Sequence, residues 1–214
     1  MRWENAYFIT GTAYAGKSTM VFRLTEKYGG IACEENYHNR LLPSLDKEKF
    51  PCVTYTRDLE DWHEFVRRSP EVYKAWTDGA QKECEILELQ ILEEVTREDR
   101  PVFVDTNISL ETLRSHAPQG HVLIMLADPE ISVRRFFERP DREKQFMYRL
   151  LMEEPDPEAA MENFRQGLRL INSREKYEAF LHSGFPVIVR DEKRKVEETL
   201  ALAEEAFGLT GKVK

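Results

Sequence analysis

Three cysteines are too few and too scattered to staple this chain together. Cys33, Cys52 and Cys84 have neither the C-x-x-C spacing of a metal site nor the even count of a disulfide framework, and they suit a reducing compartment. Long apolar runs are missing too. The longest, Val122 to Ala127, falls far short of the ~20 residues that a membrane span needs, so no membrane partner is expected. Positive charge is in deficit. The 31 Lys and Arg against 39 Asp and Glu give a net charge of −8, which argues against a long nucleic-acid partner but leaves room for a local basic pocket. His38, His63, His116, His121 and His182 lack zinc spacing and read as surface or packing residues. No repeat, low-complexity tract or interdomain linker is visible. Met1 to Asn5 leads straight into an apolar segment without a signal-peptide pattern, so the expected location is the cytoplasm.

What is present is ordinary in amount and informative in order. A chain of 214 residues, 41% hydrophobic and 33% charged, suits one α/β domain spanning 1–214. Ala6 to Thr10, Ile31 to Cys33, Val102 to Val104, Val122 to Ala127 and Val187 to Val189 read as strands. Their near-continuous hydrophobicity fits strands buried on both faces, and their alternation with helical stretches indicates a mostly parallel, doubly wound sheet. Helices are expected over Pro70 to Asp99, Glu158 to His182 and Lys193 to Phe207. In the first of these Ile86, Leu87, Leu89, Ile91, Leu92 and Val95 supply an apolar side. Ligands of such sheets bind beyond the C-terminal strand ends.

At the first strand end, Gly11-Thr12-Ala13-Tyr14-Ala15-Gly16-Lys17-Ser18 fits G-x-x-x-x-G-K-[ST], a loop that cradles phosphates between a strand and a helix. Gly11 and Gly16 let the backbone turn where a Cβ would clash. Backbone N–H groups and the helix N-terminus favour an anion, Lys17 reaches the β- and γ-phosphates, and the Ser18 hydroxyl suits Mg²⁺. Gly11, Thr12, Ala13, Tyr14, Ala15, Gly16, Lys17, Ser18 and Thr19 are therefore the candidate nucleotide-binding residues. Tyr14 either covers the phosphates or faces solvent.

Three further runs add chemistry. Pro101 to Asn107 carries an apolar strand into Asp105, a position suited to hold an Mg²⁺-bound water. The competing reading has Asp105 cap a helix starting near Ser109. Glu34 and Glu35 follow the second strand, and either could orient an acceptor hydroxyl and take its proton. Glu34 is preferred because it ends the apolar run directly. Arg40 and Arg57 are candidate anion clamps for the acceptor. Asp128 to Arg142 contains Arg135, Arg139 and Arg142, which suit a mobile lid, approximately 134–150, that neutralises transferring charge and excludes water. Arg139 would also touch the nucleotide. The irregular stretch from 36 to 76 is read as a helical insertion on the substrate side.

Together these runs resemble the P-loop kinases of the nucleoside-monophosphate-kinase-like group. Val102-Phe103-Val104-Asp105-Thr106-Asn107 is similar to the hydrophobic strand ending in Asp of polynucleotide-kinase-like and shikimate-kinase-like small-molecule kinases. The resemblance implies a three-layer fold, with about five parallel strands in the order 2-3-1-4-5 flanked by helices and a helical lid. It implies ATP as phosphoryl donor and Mg²⁺ held by Ser18 and Asp105. Lys17, Glu34, Arg135 and Arg139 would be catalytic, with Glu34, Glu35, Arg40 and Arg57 beside the acceptor and Arg190 to Lys193 beside the adenine. The D-G-F-P-R run of adenylate kinases is absent, and shikimate kinases usually carry Asp where this chain has Glu34, so neither acceptor follows. The expected function is ATP- and Mg²⁺-dependent phosphoryl transfer to a nucleoside, nucleotide or small hydroxyl metabolite. The alternatives are an ATP-binding switch without an acceptor and a kinase of nucleic-acid 5′ ends. Neither the N-K-x-D run of GTPases nor the L-S-G-G-Q run of ABC-type ATPases occurs.

Overall fold

A computed structural model describes residues 3–138 and 142–210. Within them β1 (Ala6–Gly11), β2 (Ile31–Cys33), β3 (Val102–Asp105), β4 (Val122–Leu126) and β5 (Val187–Val189) form a five-stranded parallel sheet in the order β2-β3-β1-β4-β5. This is the expected α/β architecture and strand order. The register sets Ile9 beside Asp105 and Gly11 beside Met125, so the C-terminal ends of β1, β3 and β4 meet at one edge.

Strand side chains alternate between two cores, as a period of two requires. On one face Tyr7, Ile9, Phe103, Leu123 and Met125 pack with Met20, Val21 and Leu24 of α1 (Lys17–Tyr28) and Ala203 of α10 (Val196–Ala206). On the other, Ala6, Phe8, Val102, Val104, Ile124 and Leu126 pack with Leu92 of α4 (Pro70–Val95), Leu113 of α5 (Leu110–His116) and Tyr177 and Phe180 of α9 (Arg174–Leu181). A third core lies among helices. It joins α3 (Trp62–Val66), α6 (Pro129–Arg134), α7 (Arg142–Met152) and α8 (Pro157–Ile171) through Phe65, Val133, Met147, Leu151, Phe164 and Leu168. The short α2 (Pro51–Asp58) and a 3₁₀ segment, Tyr37–Ser44, lie against α4.

Proline and capping residues set many of the helix starts. Pro51, Pro70, Pro129 and Pro157 open α2, α4, α6 and α8, where a missing N–H costs nothing. Ser69, Asp128 and Asp156 accept from backbone N–H groups in the turns that follow. The helix expected over Glu158 to His182 is two helices, because Asn172 closes α8 on Leu168 O and the Ser173 hydroxyl accepts from Lys176 N to open α9. The helix expected over Pro70 to Asp99 stops at Val95, and that expected from Lys193 begins at Val196. The apolar side assigned to α4 also needs correction. Ile86 is exposed, whereas Cys84, Leu87, Glu88, Ile91 and Leu92 are buried.

Candidate functional site

The loop between β1 and α1 is shaped by backbone that most residues avoid. Gly11 has φ 134°, and a Cβ there would come within 2.0 Å of Met125 O. Gly16, the residue before α1, has φ 95°. Thr12 anchors the loop to the end of β4, donating to Ala127 O at 3.1 Å and accepting from Ala127 N at 2.7 Å. Tyr14 also has positive φ, 64°, and does not face water. It is buried, and its hydroxyl donates to Arg135 O at 2.9 Å.

Lys17, Ser18 and Asp105 converge because β1 and β3 are neighbours. Lys17 Nζ donates to Thr12 O at 3.2 Å and lies 3.8 Å from Asp105 Oδ1, while Ser18 Oγ donates to Asp105 Oδ2 at 2.9 Å. Burial pushes the Asp105 carboxyl above its ordinary range, and Lys17 and Ser18 pull it back. Asp105 does not cap α5. Ser109 does, accepting from Thr112 N at 3.2 Å.

Three cavities adjoin one another around this cluster. One of about 490 Å³ is lined by Ala13, Tyr14, Gly16, Lys17, Ser18, Thr19, Glu35, Phe136 and Lys144 among others. A smaller one, about 90 Å³, shares Lys17 and Glu35 with it and reaches Asp105 and Lys176. A chamber of about 550 Å³ shares Phe136 and Lys144 with the first and carries Trp62, Phe65, Tyr73, Trp76, Phe146 and Phe164 in its wall. On the other side of the loop, a cavity of about 210 Å³ is bordered by Ala15, Gly16, Thr19, Arg190, Asp191 and Glu192.

The acidic and basic candidates are divided by this arrangement. Glu35 lines two of the cavities. Glu34 is exposed in the turn after β2, outside their lining, and its carbonyl accepts from Tyr37 N. Arg57 borders the aromatic chamber, with its guanidinium on Leu42 O, Leu45 O and Asp58. Arg40 is exposed and pairs with Glu94 at 2.7 Å. Arg135 lies 3.5 Å from both Glu138 and Glu192 and stays outside the cavity lining. Arg142 starts α7. Arg139 lies outside the described residues.

Residues of the site that escaped the sequence reading include Lys176 on the small cavity, Lys144 and Glu88. Lys144, on α7, borders both the loop cavity and the chamber. Glu88 of α4 is fully buried and gathers the strand end. It accepts from Thr106 Oγ1 at 2.7 Å, Asn107 N at 2.9 Å and Asn107 Nδ2 at 2.8 Å, and it meets His38 Nδ1 at 3.2 Å. His38 Nε2 in turn lies 3.2 Å from Cys84 Sγ, at the chamber wall. Burial pushes the Cys84 thiol up to about 12, so it is protonated near neutrality. The one signal for Glu88 was a carboxylate on the same helical face as Cys84, Leu87 and Ile91.

The arrangement can hold a polyanion over the glycine loop, ligate a hard cation with a hydroxyl and a carboxylate, and seat an apolar ring beside them. Among the described residues no cluster of three or more His, Cys, Asp or Glu could hold a metal, and no helix is long and apolar enough to cross a membrane. No family model matches the sequence, and no curated protein matches it. Among solved structures, a deoxyadenosine kinase from M. mycoides with bound dATP matches over 95% of this chain and 99% of its own, at 13% identity and a TM-score of 0.50. At that identity the likeness speaks for architecture alone, a five-stranded parallel sheet in the order β2-β3-β1-β4-β5 flanked by helices.

Proposed function

We propose that this protein is a cytoplasmic, ATP- and Mg²⁺-dependent phosphotransferase whose acceptor is a nucleoside or a comparable small hydroxyl compound. One observation carries the reading: the polar cavity at Lys17, Ser18 and Glu35 shares Phe136 and Lys144 with an aromatic chamber, so a phosphate donor and a ring-bearing acceptor would sit in adjoining spaces. The solved neighbour's substrate, deoxyadenosine, is of that kind. In this reading the chain forms a single domain, 1–214, with 134–150 as lid and 36–76 as the substrate-side insertion.

The residues fit a magnesium nucleotide. Ser18 and Asp105 offer two hard oxygens 2.9 Å apart, which suits a cation that keeps most of its other positions for water and phosphate. Magnesium, when bound there, neutralises charge on the β- and γ-phosphates. Gly11 to Thr19 hold the phosphates, and Lys17 leaves Thr12 O to follow the γ-phosphoryl group. Arg190 to Glu192 border the nucleoside end of the donor. Glu35, rather than Glu34, faces the acceptor hydroxyl and takes its proton. The acceptor oxygen forms a bond to the γ-phosphorus as the bond to the β,γ-bridging oxygen breaks, and ADP leaves with that electron pair. Lys144, and the arginines of 134–150 once closed, shield the site from water.

Release of ADP, followed across a panel of nucleosides, nucleotides, sugar acids and other alcohols, tests this. At least one acceptor should stimulate release, and Lys17→Met should slow it by roughly 10²–10³-fold with the fold intact. A protein that gives no calorimetric signal with MgATP is not a kinase. One that binds MgATP tightly yet transfers to nothing is a nucleotide-binding switch.

A further inference from the structure

We propose that Lys176, on α9, is a second catalytic cation, contacting the transferring phosphoryl group together with Lys17. The inference rests on the phosphotransferase reading above and adds a residue that lies outside the loop, the strand ends and the lid.

The chain brings Lys176 to the site for local reasons. Ser173 opens α9 by accepting from Lys176 N at 3.2 Å. One and four residues on, Tyr177 and Phe180 are buried against the core beneath β4. With the helix start and its buried face both set, the side chain between them has little choice of direction. It lines the small cavity at the sheet edge, whose wall also includes Lys17, Glu35, Asp105, Asn107 and Gln81. The cavity, about 90 Å³, is much smaller than the neighbouring loop cavity and shares Lys17 and Glu35 with it. A phosphoryl group held at Lys17 would therefore reach it from the loop cavity.

The electrostatics make a packing role hard to sustain. A lysine that merely covers apolar surface carries its ammonium out to water, whereas Lys176 turns inward. Among the described residues it forms no ion pair, and its hydrogen bond goes to a neutral acceptor, Gln81 Oε1, at 3.4 Å. Asp78 attracts it, while Lys17 and Lys74 repel it. Burial is the largest influence and pushes the amine below its ordinary range. Lys17 and Lys176 share the cavity with Glu35 and Asp105, and the repulsion between the two lysines is relieved when a phosphoryl group arrives between them. During transfer the three non-bridging oxygens carry the spreading negative charge. Lys176 donates to them and neither gains nor loses a proton, and the bonds made and broken are those given above.

The test compares wild type with Lys176→Met and Lys176→Arg on two readouts. The first is affinity for MgATP. The second is uptake of MgADP with fluoroaluminate, which mimics the flat phosphoryl group and needs no acceptor, measured by calorimetry and ¹⁹F resonance. Lys176→Met should weaken the fluoroaluminate complex by about 10–100-fold, change MgATP affinity by less than about 2-fold, and keep the thermal midpoint. Lys176→Arg should recover most of the loss. Where an acceptor is found, kcat should fall in parallel with KM for ATP unchanged. Equal fluoroaluminate uptake by wild type and Lys176→Met overturns the assignment, as does a wild type that binds MgATP but never fluoroaluminate. Joint loss of MgATP binding and thermal stability overturns it in favour of a structural lysine. A wild type that traps fluoroaluminate but phosphorylates nothing removes the acceptor half of the kinase reading, and the variants still decide Lys176. A wild type that binds no MgATP removes both.

Discussion

The two walls of this site are built by different physics. The loop wall, Gly11 to Ser18, is shaped by backbone: positive φ at Gly11, Tyr14 and Gly16, and Thr12 bonded twice to Ala127. The chamber wall is shaped by side chains from distant parts of the chain. Phe65 meets Tyr73 and Trp76 edge-on, Trp62 meets Phe146, and Phe136 meets Phe164. Phosphate is the same anion in every nucleotide, so a rigid cradle of backbone serves it. An acceptor must be told apart from similar molecules, and that needs shaped side-chain surface.

The contrast can be broken most forcefully at Gly11. Gly11→Ala sets a Cβ against Met125 O at a positive φ. It should destabilise the protein by more than about 3 kcal/mol, read as a fall in urea midpoint. A variant of near-wild-type stability would show that the loop is softer than its geometry. Next in size is Glu88, where the two walls join. Glu88→Ala leaves Thr106, Asn107 and His38 without their buried acceptor and should cost about 3–5 kcal/mol. Tryptophan emission from Trp62 and Trp76 should change in the same transition as MgATP binding is lost. Separate transitions would mean that the walls are independent units.

The smallest effect is confined to the helical side. Glu154, buried at the end of α7, accepts from Arg67 Nε at 2.8 Å and meets His63 Nδ1 at 2.7 Å. Those hydrogen bonds hold its carboxyl below the ordinary glutamate range, Arg67 contributing most. A carboxyl depressed in the folded state stabilises the protein above the ordinary glutamate pKa, and that stability is lost as pH falls through the folded value. Glu154→Gln should therefore melt earlier at pH 7 and show a shallower loss of thermal midpoint between about pH 5 and 3. Arg67 is more than half exposed, so solvent screens the pair and the difference stays modest. Parallel acid curves for the two proteins would show that the pair contributes nothing.

What could be read from the linear chain follows from this division. The strand stretches were visible because strands buried on both faces read as unbroken apolar runs, and the glycine–lysine loop because its constraint is local. Asp105 could be placed at a strand end by the run before it. Glu88 could not be singled out, since α4 carries Glu83, Glu85, Glu93 and Glu94 as well and the sequence alone does not show which carboxylate turns inward. Likewise Glu34 ends the apolar run directly, but the turn after β2 brings Glu35 to the cavity. The break at Asn172 and Ser173 was written in residues that cap helices, yet it is overlooked when periodicity is followed across it.

The order of amino acids determined the parallel sheet and a bend suited to phosphate, because hydrogen bonding and φ preferences act between near neighbours. Only the folded chain decided which side chains share a cavity with Lys17. Glu35, Lys144 and Lys176 arrive there from segments up to 159 residues away, and packing of whole helices on the sheet selects which face of each one turns inward.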